Sequence, residues 1–337
     1  MTNICRICNK NIADKTNSHQ LPSFLAAMIN SNGSYKRGNE LMFQYSNGIV
    51  NAYASGLNST KWEELFDDLS DDRLKDLSKN PVSEDYVFCK DCENKLGKYL
   101  ESPYASFYKE SKNIDSDIAL MFWISVVWRL STQGTNGFSL EKSLENQLHD
   151  SLYEYFSLKE TKGNIIEFIQ TLNICYKLVV CKDYCRENAG THICEYDETN
   201  KLLTILIGDI CLCMCFEGYK FPLNYSFYGI EQHIIKAPQN NGLKTESHKN
   251  VDKTVFDLMT KNLGNEFAKR HINFIFNIID YLWNRLGYPQ NMPFILRIEF
   301  LCKLIDDKKK LGEKYTIHHI ASCFYDFINN INPASYL

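Results

Sequence analysis

Apolar residues recur at helical spacing over most of the second half of this chain, and the places where that period fails are informative. Residues 118–130 (Ile-Ala-Leu-Met-Phe-Trp-Ile-Ser-Val-Val-Trp-Arg-Leu) are apolar on nearly every side. Such a run predicts a helix buried all round, at the centre of its domain. Helical periodicity continues over 140–156 and 165–176. It then gives way to three short runs, 191–196, 202–207 and 210–216, separated by Asp197-Glu198-Thr199-Asn200 and Gly208-Asp209. Short apolar runs between turn-forming residues predict three strands joined as a meander. From 253 to 286, Phe256, Met259, Leu263, Phe267, Phe274, Ile278 and Leu282 return to near-helical spacing. Gly264 is a candidate interruption of that helix, and Gly287-Tyr288-Pro289 is its stop. Residues 293–310 and 315–329 predict a terminal helical pair.

The first hundred residues read differently. Residues 24–29 are apolar, 41–45 are strand-like, and Ser46-Asn47-Gly48 supplies a turn. Residues 62–69 and 74–77 repeat apolar positions at helical spacing, and Asn80-Pro81 closes that segment. The acids Glu63, Glu64, Asp67, Asp68, Asp71 and Asp72 fall there, as the solvated face of an amphipathic helix. Residues 111–117 are polar and read as a linker. The expectation is an α+β chain in two domains: residues 1–110, carrying an insertion at 31–85, and a mostly helical region 111–337 with a small antiparallel sheet.

Composition narrows the functions available. The 337 residues are 44% hydrophobic, 13% aromatic and 23% charged, which is globular rather than disordered. A net charge of −4 counts against coating nucleic acid over the whole surface, so any such binding is local or shared with a partner. Near the N-terminus the sign reverses: Arg6, Lys10, Lys15, Lys36 and Arg37 face only Asp14 and Glu40 in residues 1–40. The opening Met1-Thr2-Asn3-Ile4-Cys5 lacks a basic stretch followed by an apolar core. The thirteen cysteines are therefore expected reduced, in the cytoplasm. No run is long enough to span a bilayer, and no membrane partner is expected.

Two cysteine pairs carry the clearest chemistry. Cys5-Arg6-Ile7-Cys8 and Cys89-Lys90-Asp91-Cys92 together offer four thiolates, the full complement of a closed tetrahedral Zn²⁺ site. Backbone amides in each tight turn can point at the sulfurs. The residues after Cys92 read as a helix, whose positive end favours thiolate there. A knuckle, a hairpin and a second knuckle opening a helix make up a treble clef. A site using Cys5, Cys8 and His19 is the alternative, at the cost of leaving one pair unused.

Between the pairs lies Asn17-Ser18-His19-Gln20-Leu21-Pro22. The order CxxC, xHxxP and CxxC followed by an acid resembles the HNH (ββα-metal) nucleases of the zinc-stapled type. The segments SHQLPSFL and FCKDCENKLGKY, followed by WRLS, are similar to bacterial proteins pairing such a module with a longer C-terminal region. The likeness covers about the first 110 residues. It implies a divalent-metal-dependent endonuclease, with His19 as general base, Glu93 as a ligand of a catalytic Mg²⁺ or Mn²⁺, and a place in defence against phage. Ser18 departs from the pattern, standing where these nucleases usually have Asp; Glu93 stands where Asn or His is usual. A competing expectation is a non-catalytic zinc-stabilised module that binds nucleic acid or a protein partner.

Three further features have ordinary readings. Cys181, Cys185, His192 and Cys194 have ligand chemistry, but their spacings equally suit a helix face and strand neighbours. Cys211, Cys213 and Cys215 alternate and are expected as small buried residues on one strand face. Arg129, ending the apolar helix, is expected to pair with an internal carboxylate.

Overall fold

A computed structural model describes residues 3–16, 18–19, 21–30, 40–46, 49–55, 83–84, 86–110, 114–132, 138–187, 192–218, 222, 225–288, 290–311 and 317–331. Its side chains are described except at 19, 27, 29–30, 40–46, 49–55, 83–84, 186–187, 267 and 307–311. The helical pattern and acids read at 62–77 lie outside the described residues. The fold is mixed: mostly helix, with a small and largely antiparallel sheet and an N-terminal cluster of cysteines.

The chain divides into two compact units, residues 1–38 with 80–260, and residues 39–79 with 261–337. The boundary expected near residue 110 falls inside the first unit. The physical reason is aromatic. Tyr104 stacks on Phe122 across the short connection, with centroids 3.9 Å apart, and meets Trp123 edge-on at 5.4 Å. Contacts of that kind fasten the helix Ser102–Glu110 to the helix Ser116–Thr132 as parts of one core.

The helix Ser116–Thr132 is the centre of the first unit, as its all-round apolarity requires. Every residue from Ala119 to Ser131 is buried. Its buried serines and its arginine make hydrogen bonds. Ser125 donates to the Phe122 carbonyl at 2.7 Å and Ser131 to Glu145 Oε2 at 2.9 Å. Arg129, 1% exposed, meets Glu101 Oε1 at 2.7 Å, the expected internal carboxylate. The helix Lys142–Thr161 packs beside it with Leu144, Leu148, Leu152, Tyr155 and Phe156 buried, an i, i+4 stripe. Asp117 in the first turn of the central helix accepts Tyr155 Oη at 2.9 Å and Lys159 Nζ at 3.0 Å.

The sheet runs β10-β5-β8-β7-β6, with β9 also on β5: β5 Cys175–Val180, β6 His192–Asp197, β7 Leu202–Ile207, β8 Ile210–Cys215, β9 Gln239–Asn240 and β10 Lys249–Asn250. All pairings are antiparallel except β10 on β5. The three expected strands form the expected meander. Its two-residue turn has Gly208 at φ +56°, where an added Cβ would lie 2.8 Å from Met28 Cγ.

β5 departs from expectation. The helical reading over 165–176 holds only for Ile165–Thr171; Asn173 turns to φ +48°, and Cys175 begins a strand. β5 lies between β8 on one side and β9 and β10 on the other, with all six residues buried. A strand covered on both faces carries no polar alternation, so nothing in its period distinguished it from buried helix.

The second unit has its own core. Ile275, Ile279, Leu282 and Trp283 come from the helix Lys253–Arg285, which Gly264 does not interrupt. Leu296, Phe300 and Leu304 come from Phe294–Leu311, and Ile320, Cys323, Phe324 and Phe327 from Ile317–Asn329. Arg297 fixes the turn between the first two helices, meeting Asp280 at 3.1 Å and the Met292 carbonyl at 2.7 Å. Residues 40–46 and 49–55 form an antiparallel hairpin, β2 and β3, which belongs to this unit. No helix among the described residues is long and apolar enough to cross a membrane.

Candidate metal centre

Cys5 and Cys8 sit on a tight hairpin closed by an isolated bridge between Ile4 and Ile12. Cys5 N donates to the Asn11 carbonyl at 2.8 Å, and Asn9 N to the Cys5 carbonyl at 2.9 Å. Asn9 makes the reversal at φ +51°, a conformation its short polar side chain tolerates. Cys89 precedes the helix Lys90–Leu96 in extended conformation, and Cys92 stands in its first turn. The sequence placed the second pair at a helix start, and it is there. That helix continues through a wide π turn, Gly97–Glu101, into Ser102–Glu110.

The hairpin and the helix start are tied together by the backbone. Arg6 N donates to the Val87 carbonyl, Lys15 N to the Phe88 carbonyl and Tyr86 N to the Lys15 carbonyl, at 2.8–3.2 Å. Asp14 accepts the first amide of the helix, Lys90 N, at 2.9 Å. The four sulfurs consequently lie within 4.8 Å of one another. Cys5, Cys89 and Cys92 are at most 4% exposed. Sulfur atoms 2.3 Å from a tetrahedral centre are about 3.8 Å apart by geometry; Cys8 and Cys89 Sγ are 4.0 Å apart.

The electrostatics suit a bound cation. The Cys5 thiol is lowered chiefly by a hydrogen bond from Cys92, with the amides of Cys8, Cys89 and Ile7 helping. That same bond, together with burial and the neighbouring Cys5 charge, pushes Cys92 up. Burial raises Cys89, against hydrogen bonds from the Cys92 amide and the Asn11 side chain. Cys5 and Cys92 are thus shifted in opposite directions by one shared hydrogen bond, and a metal ion bound between the sulfurs would favour their thiolate forms. These four cysteines could hold a metal ion. Among the described residues no other group of three or more His, Cys, Asp and Glu donors does so. His192 and Cys194 meet each other at 3.6 Å on β6, and burial alone lowers His192 to about 4.

The cluster does not stand alone. The helix Lys142–Thr161 reaches the hairpin through His149 Nε2, 2.8 Å from the Ile7 carbonyl, and through Tyr153, whose Oη accepts Lys10 Nζ at 2.9 Å. Arg6 Nη1 donates to the Thr132 carbonyl at 2.7 Å, and Phe88 stacks on Trp128. Residues 142–161 carry no sequence mark of this role.

The two other expected site residues are placed as follows. His19 lies in β1 (Ser18–His19), which pairs antiparallel with β4 (Ser83–Glu84), His19 opposite Ser83. The His19 side chain lies outside the described residues, so its approach to Glu93 does too. Ser18 is fully buried, and its Oγ makes no hydrogen bond among the described residues. Glu93 is half-buried, one residue after Cys92, and its Oε2 is likewise without a hydrogen bond among the described residues. Burial raises the Glu93 carboxyl; Arg129 and Lys15 oppose that rise, while Glu101 and Cys5 add to it. The nearness of Arg129 to Glu93 escaped the sequence reading because it arises only when the helix Ser116–Thr132 packs on the one that carries Glu93.

One buried carboxylate was missed entirely. Glu246, 7% exposed, accepts hydrogen bonds from Tyr104, Trp123 and Tyr176. It stands in the polar stretch Lys244-Thr245-Glu246-Ser247-His248, which reads as an ordinary loop. Compared with protein-family models, with curated proteins and with solved structures, the chain matches none.

Proposed function

We propose that Cys5, Cys8, Cys89 and Cys92 hold one structural Zn²⁺ in a treble-clef arrangement, and that the module built on it is a divalent-metal-dependent nuclease. The zinc assignment is supported by four sulfur donors with no oxygen or nitrogen in the set, which favours Zn²⁺ over Mg²⁺ or Ca²⁺ and leaves no coordination position open for substrate. The observation that carries the nuclease reading is Glu93 Oε2, a buried carboxylate oxygen without a hydrogen bond among the described residues, directly after the second cysteine pair. An orphaned buried oxygen is costly unless a ligand completes it, and a divalent cation is the ligand that a carboxylate takes best. Mg²⁺ or Mn²⁺ bound there supplies charge neutralisation at the scissile phosphate. Glu93 would hold that ion, and His19 would accept the proton of the attacking water. Arg129, bound to Glu101, fixes the helix that carries Glu93.

A second reading has its own support. Ser18 replaces the carboxylate expected before the histidine, and it is fully buried, so it brings no anionic ligand to the surface. On that basis the module would bind nucleic acid or a protein without cleaving. Cleavage assays on single- and double-stranded DNA and RNA, with Mg²⁺ and Mn²⁺, separate the two. For the nuclease, His19→Ala keeps its zinc and its fold while cleavage falls by about 10²–10⁴-fold. Glu93→Gln raises the Mg²⁺ concentration required. No cleavage by the zinc-loaded wild type, with candidate partner proteins included, leaves the binding module as the reading.

A further inference from the structure

A cavity of about 340 Å³ opens in the first unit, with Glu246 in its wall. It shares no residue with the cysteine cluster. Phe107 and Tyr108 line it from the helix Ser102–Glu110, Leu178 and Val180 from β5, and Ile210 from β8. The volume suits a small ligand rather than a polymer.

The carboxylate has an unusual set of partners. Oε1 accepts Tyr104 Oη at 2.8 Å. Oε2 accepts Tyr176 Oη at 2.6 Å and Trp123 Nε1 at 3.2 Å. All three donors are neutral, and burial raises both phenols well above their ordinary range, so they remain so. No ion pair to Glu246 occurs among the described residues. A carboxylate offers about four acceptor positions, two on each oxygen. Oε2 is therefore full, and one position on Oε1 is left. This excludes a forked donor such as a guanidinium or amidine, which needs both oxygens. It leaves room for a single N–H, and a cationic one is favoured because the buried carboxylate has no counter-charge. Phe107 and Tyr108 add aromatic surface, on which an ammonium group is also stabilised.

We propose that this cavity binds a small organic primary amine, its ammonium donating to Oε1 of Glu246 and its carbon body packed on Phe107, Tyr108, Leu178 and Val180. The proposal is independent of the nuclease reading, since neither His19, Glu93 nor the cysteines take part. Binding also depends on pH, because Glu246 is pushed up to about 7 by burial, against its three hydrogen bonds. The amine binds the carboxylate form, so affinity rises as pH climbs through that value. Lys182 and His248 also line the cavity; a His248→Asn variant removes its imidazole and so isolates the part played by Glu246.

The test is calorimetric titration of the full-length chain with benzylamine, benzyl alcohol and benzamidine at pH 8 and pH 6. Benzylamine is expected to bind saturably at pH 8 with Kd on the order of 1 mM, as its few heavy atoms allow. Benzyl alcohol and benzamidine should bind at least tenfold more weakly. At pH 6 benzylamine should lose about tenfold in affinity, in His248→Asn as in wild type. Glu246→Gln should lose tenfold or more. Should that variant fail to fold, Phe107→Ala, at a half-buried wall position, is expected to keep the native circular dichroism and weaken benzylamine several-fold. Equal affinity for the amine and the alcohol, or no saturable benzylamine binding at pH 8, would overturn the proposal.

Discussion

The first unit contains two groups of buried cysteines that differ in almost everything except residue type. In the N-terminal group, Cys5, Cys8, Cys89 and Cys92 converge so that four sulfurs share one small volume. In the sheet, Cys211, Cys213 and Cys215 lie along one face of β8, and Cys175 on β5 stands opposite Cys215. All four of these are buried too. Spacing makes the difference. A two-residue gap inside a tight turn, or in the first turn of a helix, brings two sulfurs toward one point, with amides aimed at them. In the sheet the thiols meet only in pairs, Cys215 with Cys213 along β8 and with Cys175 across to β5, and among the described residues they do not gather as a group of donors around one point. Burial of thiols therefore tells little about chemistry, whereas the local backbone that presents them tells a great deal.

The sharpest way to break this comparison is to remove one sulfur from each group. Cys89→Ser should abolish the bound zinc and unfold the hairpin and the helix start, at a cost approaching the roughly 10 kcal/mol scale of structural zinc sites. Metal analysis with thermal unfolding checks it, and a zinc-free wild type would remove the distinction. Next in size is the support behind the first group. Glu101→Ala removes the carboxylate 2.7 Å from the buried Arg129 guanidinium and should destabilise the protein by about 3–5 kcal/mol. Urea unfolding measures it. If zinc content survives while stability falls, the centre holds its own geometry; if both fall, the helix packing holds it.

A smaller effect sharpens the contrast between buried groups that await a cation and those that merely pack. Glu246 is raised from an ordinary 4.5 to about 7 in the fold. The folded state therefore binds more protons than the unfolded chain between these values, and stability falls as pH rises through that window. The loss should total about 3 kcal/mol by pH 8, levelling off above it. Unfolding free energies across pH 5–8 should show this decline, and Glu246→Gln should flatten it. The smallest effect belongs to the sheet. Cys211→Ala should leave the zinc content unchanged and cost only about 1 kcal/mol, as for one small buried group. A loss of metal from that variant would mean that the two groups are not chemically distinct.

Local pattern and spacing determined a good part of this molecule. The meander at 192–215, the buried helix Ser116–Thr132 and the long helix Lys253–Arg285 follow from periods that the chain displays openly, while the structure decided that Gly264 leaves that last helix unbroken. The four cysteines that could hold a metal ion follow from two short motifs, because the geometry inside each pair is local. Only the tertiary structure decided the rest, for reasons of packing. β5 has no polar face to reveal it, since other strands and the core cover it on every side. The division into 1–38 with 80–260, and 39–79 with 261–337, joins segments far apart in sequence, and no local period announces such a joining. Glu246 is the clearest case. Its three donors lie 142, 123 and 70 residues away, and no pattern in a single stretch encodes a meeting of that range.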